Sequence, residues 1–147
     1  MPRRVWIVPA VIVFLAVSVE LARYLAASGS ERSDVVALLR DQARGDATAM
    51  LERLGDCDEK PACAAIVRRN ARALRTDGNV RVLLMESDTS YKLSTTSGLT
   101  RVAWSDLDKD GATFVQCVAV RKSWSFIHGA RVQLRGISPR IGNEASC

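Results

Sequence analysis

The chain holds a single histidine, His128, and no two of its four cysteines are separated by fewer than five residues. These scarcities remove several chemistries. A four-cysteine zinc site draws its ligands in C-x₂₋₄-C pairs, whereas here five, fifty-three and twenty-nine residues intervene. A lone histidine before Gly129, with no serine or cysteine nucleophile identifiable beside it, reads as a turn residue, and no catalytic residue is assigned. An excess of one charge is also missing. Of the net charge of +5, Arg3, Arg4, Arg23 and Glu20 contribute +2, and the rest of the chain balances 18 basic against 15 acidic residues. Nucleic-acid backbone binding, which concentrates Lys and Arg on one face or tail, is not expected, and neither is a cofactor.

What is present begins at the N-terminus. Residues 5–19, VWIVPAVIVFLAVSV, carry no charge and follow Arg3 and Arg4. Fifteen residues fall short of the ~20 that cross a hydrocarbon core, but Leu21, Ala22, Tyr24, Leu25, Ala26 and Ala27 extend the stretch. Glu20 and Arg23, at i, i+3 spacing, pair and snorkel at the outer interface beside Tyr24. The positive-inside rule leaves the N-terminus cytoplasmic and everything after Ser28 outside. The alternative is a cleaved signal peptide ending in the small residues 26–29, which Glu20 and Arg23 fit poorly. The expected division is 1–28 as a single-pass membrane anchor and 29–147 as one extracytoplasmic domain, enough chain for one modest core.

All four cysteines lie beyond the apolar segment, and an even count in an exported domain of this size reads as two disulfides. Three connectivities are possible. Cys57 and Cys63 flank the short polar stretch DEKPA and are expected to staple a helix-helix corner; Cys117 is then left for Cys147. The second link would close a loop of about thirty residues and pin a tail that otherwise frays.

After Ser28-Gly29-Ser30, read as a linker, Val35, Leu38, Leu39 and Gln42/Ala43 form a helical stripe over 31–44 that starts at Ser30 or Ser33 as N-cap. Gly45-Asp46 breaks the rod. Asp46 caps a second helix over 47–54, with Met50, Leu51 and Leu54 inward, and Pro61 opens a third over 61–75, with Val67, Ala71 and Leu74 inward. From Asp77-Gly78 the period changes to two. Val80, Val82 and Leu84 form one inward set and Val102 and Trp104 a second. Phe114, Val118, Val120, Trp124 and Phe126 form a third, and Val132 and Leu134 a fourth. Cys117 falls on the opposite face of its strand. The fold class is α+β: a transmembrane helix, then three helices packed on a four-stranded antiparallel meander.

An amphipathic helix, then ARGDATAMLERL (43–54), another helix, and a meander containing TRVAW and VQCVAV resemble the NTF2-like, cystatin-like α+β domains. More narrowly, the layout is similar to small exported members carried behind one membrane helix in high-GC Gram-positive bacteria, including accessory proteins of lipid-importer systems. The resemblance covers about 31–138. It implies a cone-shaped sheet wrapped around helices, often with a pocket, and frequently a non-enzymatic binding or assembly role with pairing through the sheet. Enzymes of this superfamily, polyketide cyclases and ketosteroid isomerases among them, place Asp, His or Tyr inside the cone. No matching motif stands in this chain.

Three weak sites accompany this reading. Asp106, Asp108 and Asp110 before Gly111 match D-x-D-x-D-G, the opening of a calcium loop, but Cys117 stands where the bidentate Glu belongs and a solvated hairpin turn explains the residues. Trp104, Trp124 and Phe126 are either core or the wall of a pocket for an apolar ligand. Arg68, Arg72 and Arg75, with Arg69, lie along one helical face, either solvated or meeting lipid phosphates or an acidic partner. The function expected is an anchored, non-catalytic envelope module whose helix meets membrane lipid and whose domain binds a protein partner or itself through the sheet. An NTF2-like small-molecule enzyme is the alternative, and a weak calcium module the third reading.

Overall fold

The computed structural model describes residues 3–77, 79–91, 95–106, 112–125 and 129–147. Its first element is one continuous helix, α1, Arg3–Arg44. The expected linker at Ser28-Gly29-Ser30 is therefore corrected: these residues are helical, and neither Ser30 nor Ser33 is an N-cap. The energetics explain this. One glycine and two serines cost about 1–2 kcal/mol of helix propensity together, and helices already formed on both sides spare the segment a new nucleation step. Among the described residues no helix is long and apolar enough to cross a membrane; the consecutive described side chains of the apolar run are those of 7–22.

Gly45, with φ +76°, ends α1. Asp46 caps α2 (Ala47–Arg53) by accepting a 3.0 Å hydrogen bond from the Ala49 amide. Pro61 stands in the first turn of α3 (Pro61–Ala73), where a missing amide hydrogen costs nothing. Cys57 and Cys63 are disulfide-bonded across the α2–α3 corner, and Cys117 is bonded to Cys147.

Four strands follow, β1 (Val80–Tyr91), β2 (Thr95–Asp106), β3 (Thr113–Ser125) and β4 (Gly129–Ile137), in an antiparallel meander ordered β1-β2-β3-β4. The expected α+β architecture, three helices' worth of amphipathic stripe on this sheet, is present, with the first helix fused to the apolar run. Val102, Trp104, Val118, Val120, Leu134 and Ile137 meet Val35, Leu38, Leu39, Met50, Leu54, Val67, Ala71 and Leu74 in one core. One expected inward residue is corrected. A register shift between Val82 and Leu84 moves Leu84 outward, and Met85 takes the place against the core. A bulge inserts one residue and reverses the alternation beyond it.

The C-terminal tail crosses the outer face of the sheet, as the position of Cys117 requires. Ile141 bridges to Val115, the Ser138 hydroxyl accepts from the Cys117 amide at 2.9 Å, and Arg101 donates to the carbonyls of Asn143 and Ala145. This cover explains why Val115 is buried although it points away from the helices.

Candidate functional site

Where α1 emerges from the domain, the helix is tied to three strands by one carboxylate. Glu31 lies four residues before Val35, on the same stripe as Leu38 and Gln42, so the helix turns it toward the sheet. Its Oε1 accepts from Ser87 Oγ of β1 at 2.8 Å and from Thr100 Oγ1 of β2 at 2.6 Å, and its Oε2 meets the Lys122 ammonium of β3. Ser87 and Thr100 are cross-strand partners with hydroxyls 3.2 Å apart. Glu31 is 2% exposed. Burial pushes its pKa up, but the bonds from Lys122, Thr100 and Ser87, with the charge of Lys122, together outweigh it and hold the carboxyl below the usual carboxylate range. A carboxylate so held is ionised at neutral pH and fully occupied. It fastens the helix to the sheet.

On the apolar side of this fastening, α1 presents large hydrophobic side chains in every direction. Ile7, Val8, Val11, Ile12, Val13, Phe14, Leu15, Val17, Val19, Leu21 and Leu25 are all exposed, Phe14 to 70%. A helix in water keeps a polar face. This half has none between Ile7 and Val19.

Further along α1, two amide side chains lie within the core. Gln42 and Gln116, both fully buried, exchange reciprocal amide bonds at 2.8 and 3.2 Å. Trp104 Nε1 donates to Gln116 Oε1 at 3.0 Å, while Gln116 Nε2 and Asn70 Nδ2 both donate to the Ser138 carbonyl, at 3.0 and 2.8 Å. The network is neutral and closed on itself. Asp41, 1% exposed, is likewise committed, to Arg44 and Arg53 at the α1–α2 corner.

The residues singled out from sequence are dispersed. Trp104 is fully buried in the core cluster, its ring 4.8 Å from that of Phe114, which Arg140 covers at 5.2 Å. The backbone of Trp124 pairs with Ala130 near the end of β3, and Phe126 lies outside the described residues. Asp106 is a buried residue closing β2 opposite Val80; Asp108 and Asp110 lie outside the described residues. Among the described residues no three His, Cys, Asp or Glu side chains converge to hold a metal. Arg68, Arg69 and Arg72 line an open surface groove with Ala65 and Ala73, and Arg75 lies at Gly45.

Sequence reasoning passed over Glu31, Ser87, Thr100 and Lys122, and it did not single out Gln116. The signals existed: Glu31 continues the stripe of Val35, Leu38 and Gln42, and Gln116 occupies the inward position between Phe114 and Val118. No family model matches the chain, and no curated protein or solved structure shows significant similarity to it.

Proposed function

We propose that the chain is a single-pass, membrane-anchored module of a bacterial cell envelope, with its N-terminus cytoplasmic and its NTF2-like domain outside, acting by binding or assembly and not by catalysis. One observation carries the reading: half of α1 is apolar on every side and packed on nothing among the described residues, a surface that water does not tolerate and lipid does. Glu20, Arg23 and Tyr24 follow the run as interfacial residues, and Arg3 and Arg4 precede it on the cytoplasmic side. Two disulfides suit an oxidising compartment.

The non-catalytic part is supported by how the polar groups are spent. Glu31 and Asp41 are ion-paired, and the interior amides satisfy one another. The helices-then-meander layout supports the NTF2-like kinship. The domain's partner is a protein, or a second copy reached through the sheet.

Two measurements test this on membranes from cells expressing the full chain. The protein should resist alkaline carbonate, and a reporter active only outside the cytoplasm should be active when fused after Cys147. Release by carbonate would remove the anchor, and activity of a cytoplasmic reporter in that place would reverse the orientation.

A further inference from the structure

The absence of a linker in α1 has a geometric consequence. A domain tethered by a flexible linker tumbles above its membrane. A domain grown from the same helix as its anchor, and fastened to it at Glu31, is presented in one orientation.

That orientation follows from the register. Glu31 meets Thr100 and Lys122, whereas Gln42, eleven residues later, meets Gln116 and, through it, Trp104. From Glu31 toward the N-terminus, α1 therefore runs toward the sheet end where β1 finishes at Tyr91, β2 starts at Thr95, β3 finishes at Ser125 and β4 starts at Gly129. From Thr100 to Thr95 the strand advances about 17 Å. α1 covers that length in about eleven residues, back to Glu20; were it ~45° oblique to the strands, the reach of about 12 Å would still come level with Arg23. Glu20 and Arg23 mark the outer interface on the anchor reading. The sheet end is therefore level with the lipid headgroups.

We infer that this end of the sheet, with the exposed Arg121 and Arg131 beside it, rests on the anionic headgroup layer of the bilayer that holds α1. This rests on the anchor reading and adds to it a membrane-facing surface. Glu20 is the described acid at the same level, Glu31 is paired to Lys122, and Asp88 stands further back on β1 opposite Leu99. The opposite end, where Ala112 precedes β3, faces away. So does Gly45 with the adjoining Arg75, about 33 Å along α1 from Arg23, more than two Debye lengths at physiological salt. The arginine at that end of α3 is thus withheld from the lipid of its own membrane.

The test uses the full, oxidised chain in nanodiscs, with a nitroxide on Ser123→Cys or on Ala112→Cys. Collision with a water-soluble nickel chelate should be several-fold slower at 123 than at 112 in discs containing anionic lipid. Replacing both arginines, Arg121→Glu with Arg131→Glu, should narrow that difference, and so should a flexible Gly-Ser segment inserted after Gly29. Equal chelate access at 123 and 112, in a chain that still resists carbonate, overturns the orientation and leaves the anchor standing. Loss of the chain from the disc overturns the anchor and the orientation together. Protection at 123 that survives both alterations overturns the roles given to the arginines and to the unbroken helix.

Discussion

The carboxylate of Glu31 and the ammonium of Lys122 meet from positions 91 residues apart, one on the helix that leaves the domain and the other on the third strand. The contact joins the apolar half of α1 to the sheet at the point where the helix parts from the core. Its partners Ser87 and Thr100 extend the fastening to β1 and β2.

Removing Glu31 should cost more than a surface ion pair does. In Glu31→Ala, Lys122, itself only 25% exposed, loses its counter-charge and two hydroxyls lose their acceptor. We expect a loss of about 2–3 kcal/mol in urea unfolding at neutral pH, with Glu31→Gln losing less because it keeps an acceptor. A loss below about 0.5 kcal/mol would reduce the cluster to a surface contact.

The same group sets an acid limb. Its folded pKa lies below the unfolded value of about 4.5, so the stabilisation is complete above that pH and disappears as pH falls through the folded value. Unfolding free energy should therefore decline on acidification below pH 4.5, and more steeply in the parent than in Glu31→Gln. Parallel curves for the two would assign the acid limb to other carboxylates.

Gln116 holds three partners at once, and truncating it strands them. Gln116→Leu should destabilise by about 2–4 kcal/mol, because the Gln42 amide and the Trp104 indole N–H remain buried without it. Adding Gln42→Leu should recover part of the loss. A double-mutant cycle with a coupling free energy near zero would show that the two amides act independently.

The tail disulfide should contribute chiefly through the unfolded chain. Closing a 30-residue separation is worth roughly 3–4 kcal/mol in the chain-entropy model, so Cys117→Ser with Cys147→Ser should lower the melting temperature well beyond scatter. The tail should also loosen from Arg101 and Val115, read as faster exchange of the Ile141 amide. Unchanged exchange there would mean that Arg101 and the Val115 bridge hold the tail alone.

Gly45 has φ +76°, and an added Cβ would lie 3.0 Å from Arg75 Cδ and 3.2 Å from the Ala71 carbonyl. Gly45→Ala should cost at least about 1 kcal/mol, and Asp46→Ala about 1 kcal/mol through the lost cap. If both variants unfold with the parent, the α1–α2 corner does not depend on its turn chemistry.

Periodicity and local chemistry alone determined much of this protein. The stripe of Val35, Leu38, Leu39 and Gln42, the stop at Gly45-Asp46, the start at Pro61 and the four alternating strands each depend on neighbours within a turn or a pleat, and the sequence displays those directly. The cysteine pairing was legible for a related reason, since one pair is adjacent and leaves a single remainder. Three things were decided only in three dimensions. Ser28-Gly29-Ser30 has the composition of a linker, but helix on both sides makes continuation cheaper than a break. The bulge after Val82 turned Leu84 out and Met85 in, because cross-strand register is a property of two strands and not of one. The Glu31 cluster needed α1, β1, β2 and β3 together: a carboxylate, two hydroxyls and an ammonium are ordinary polar residues in the sequence, and only burial makes their mutual satisfaction obligatory.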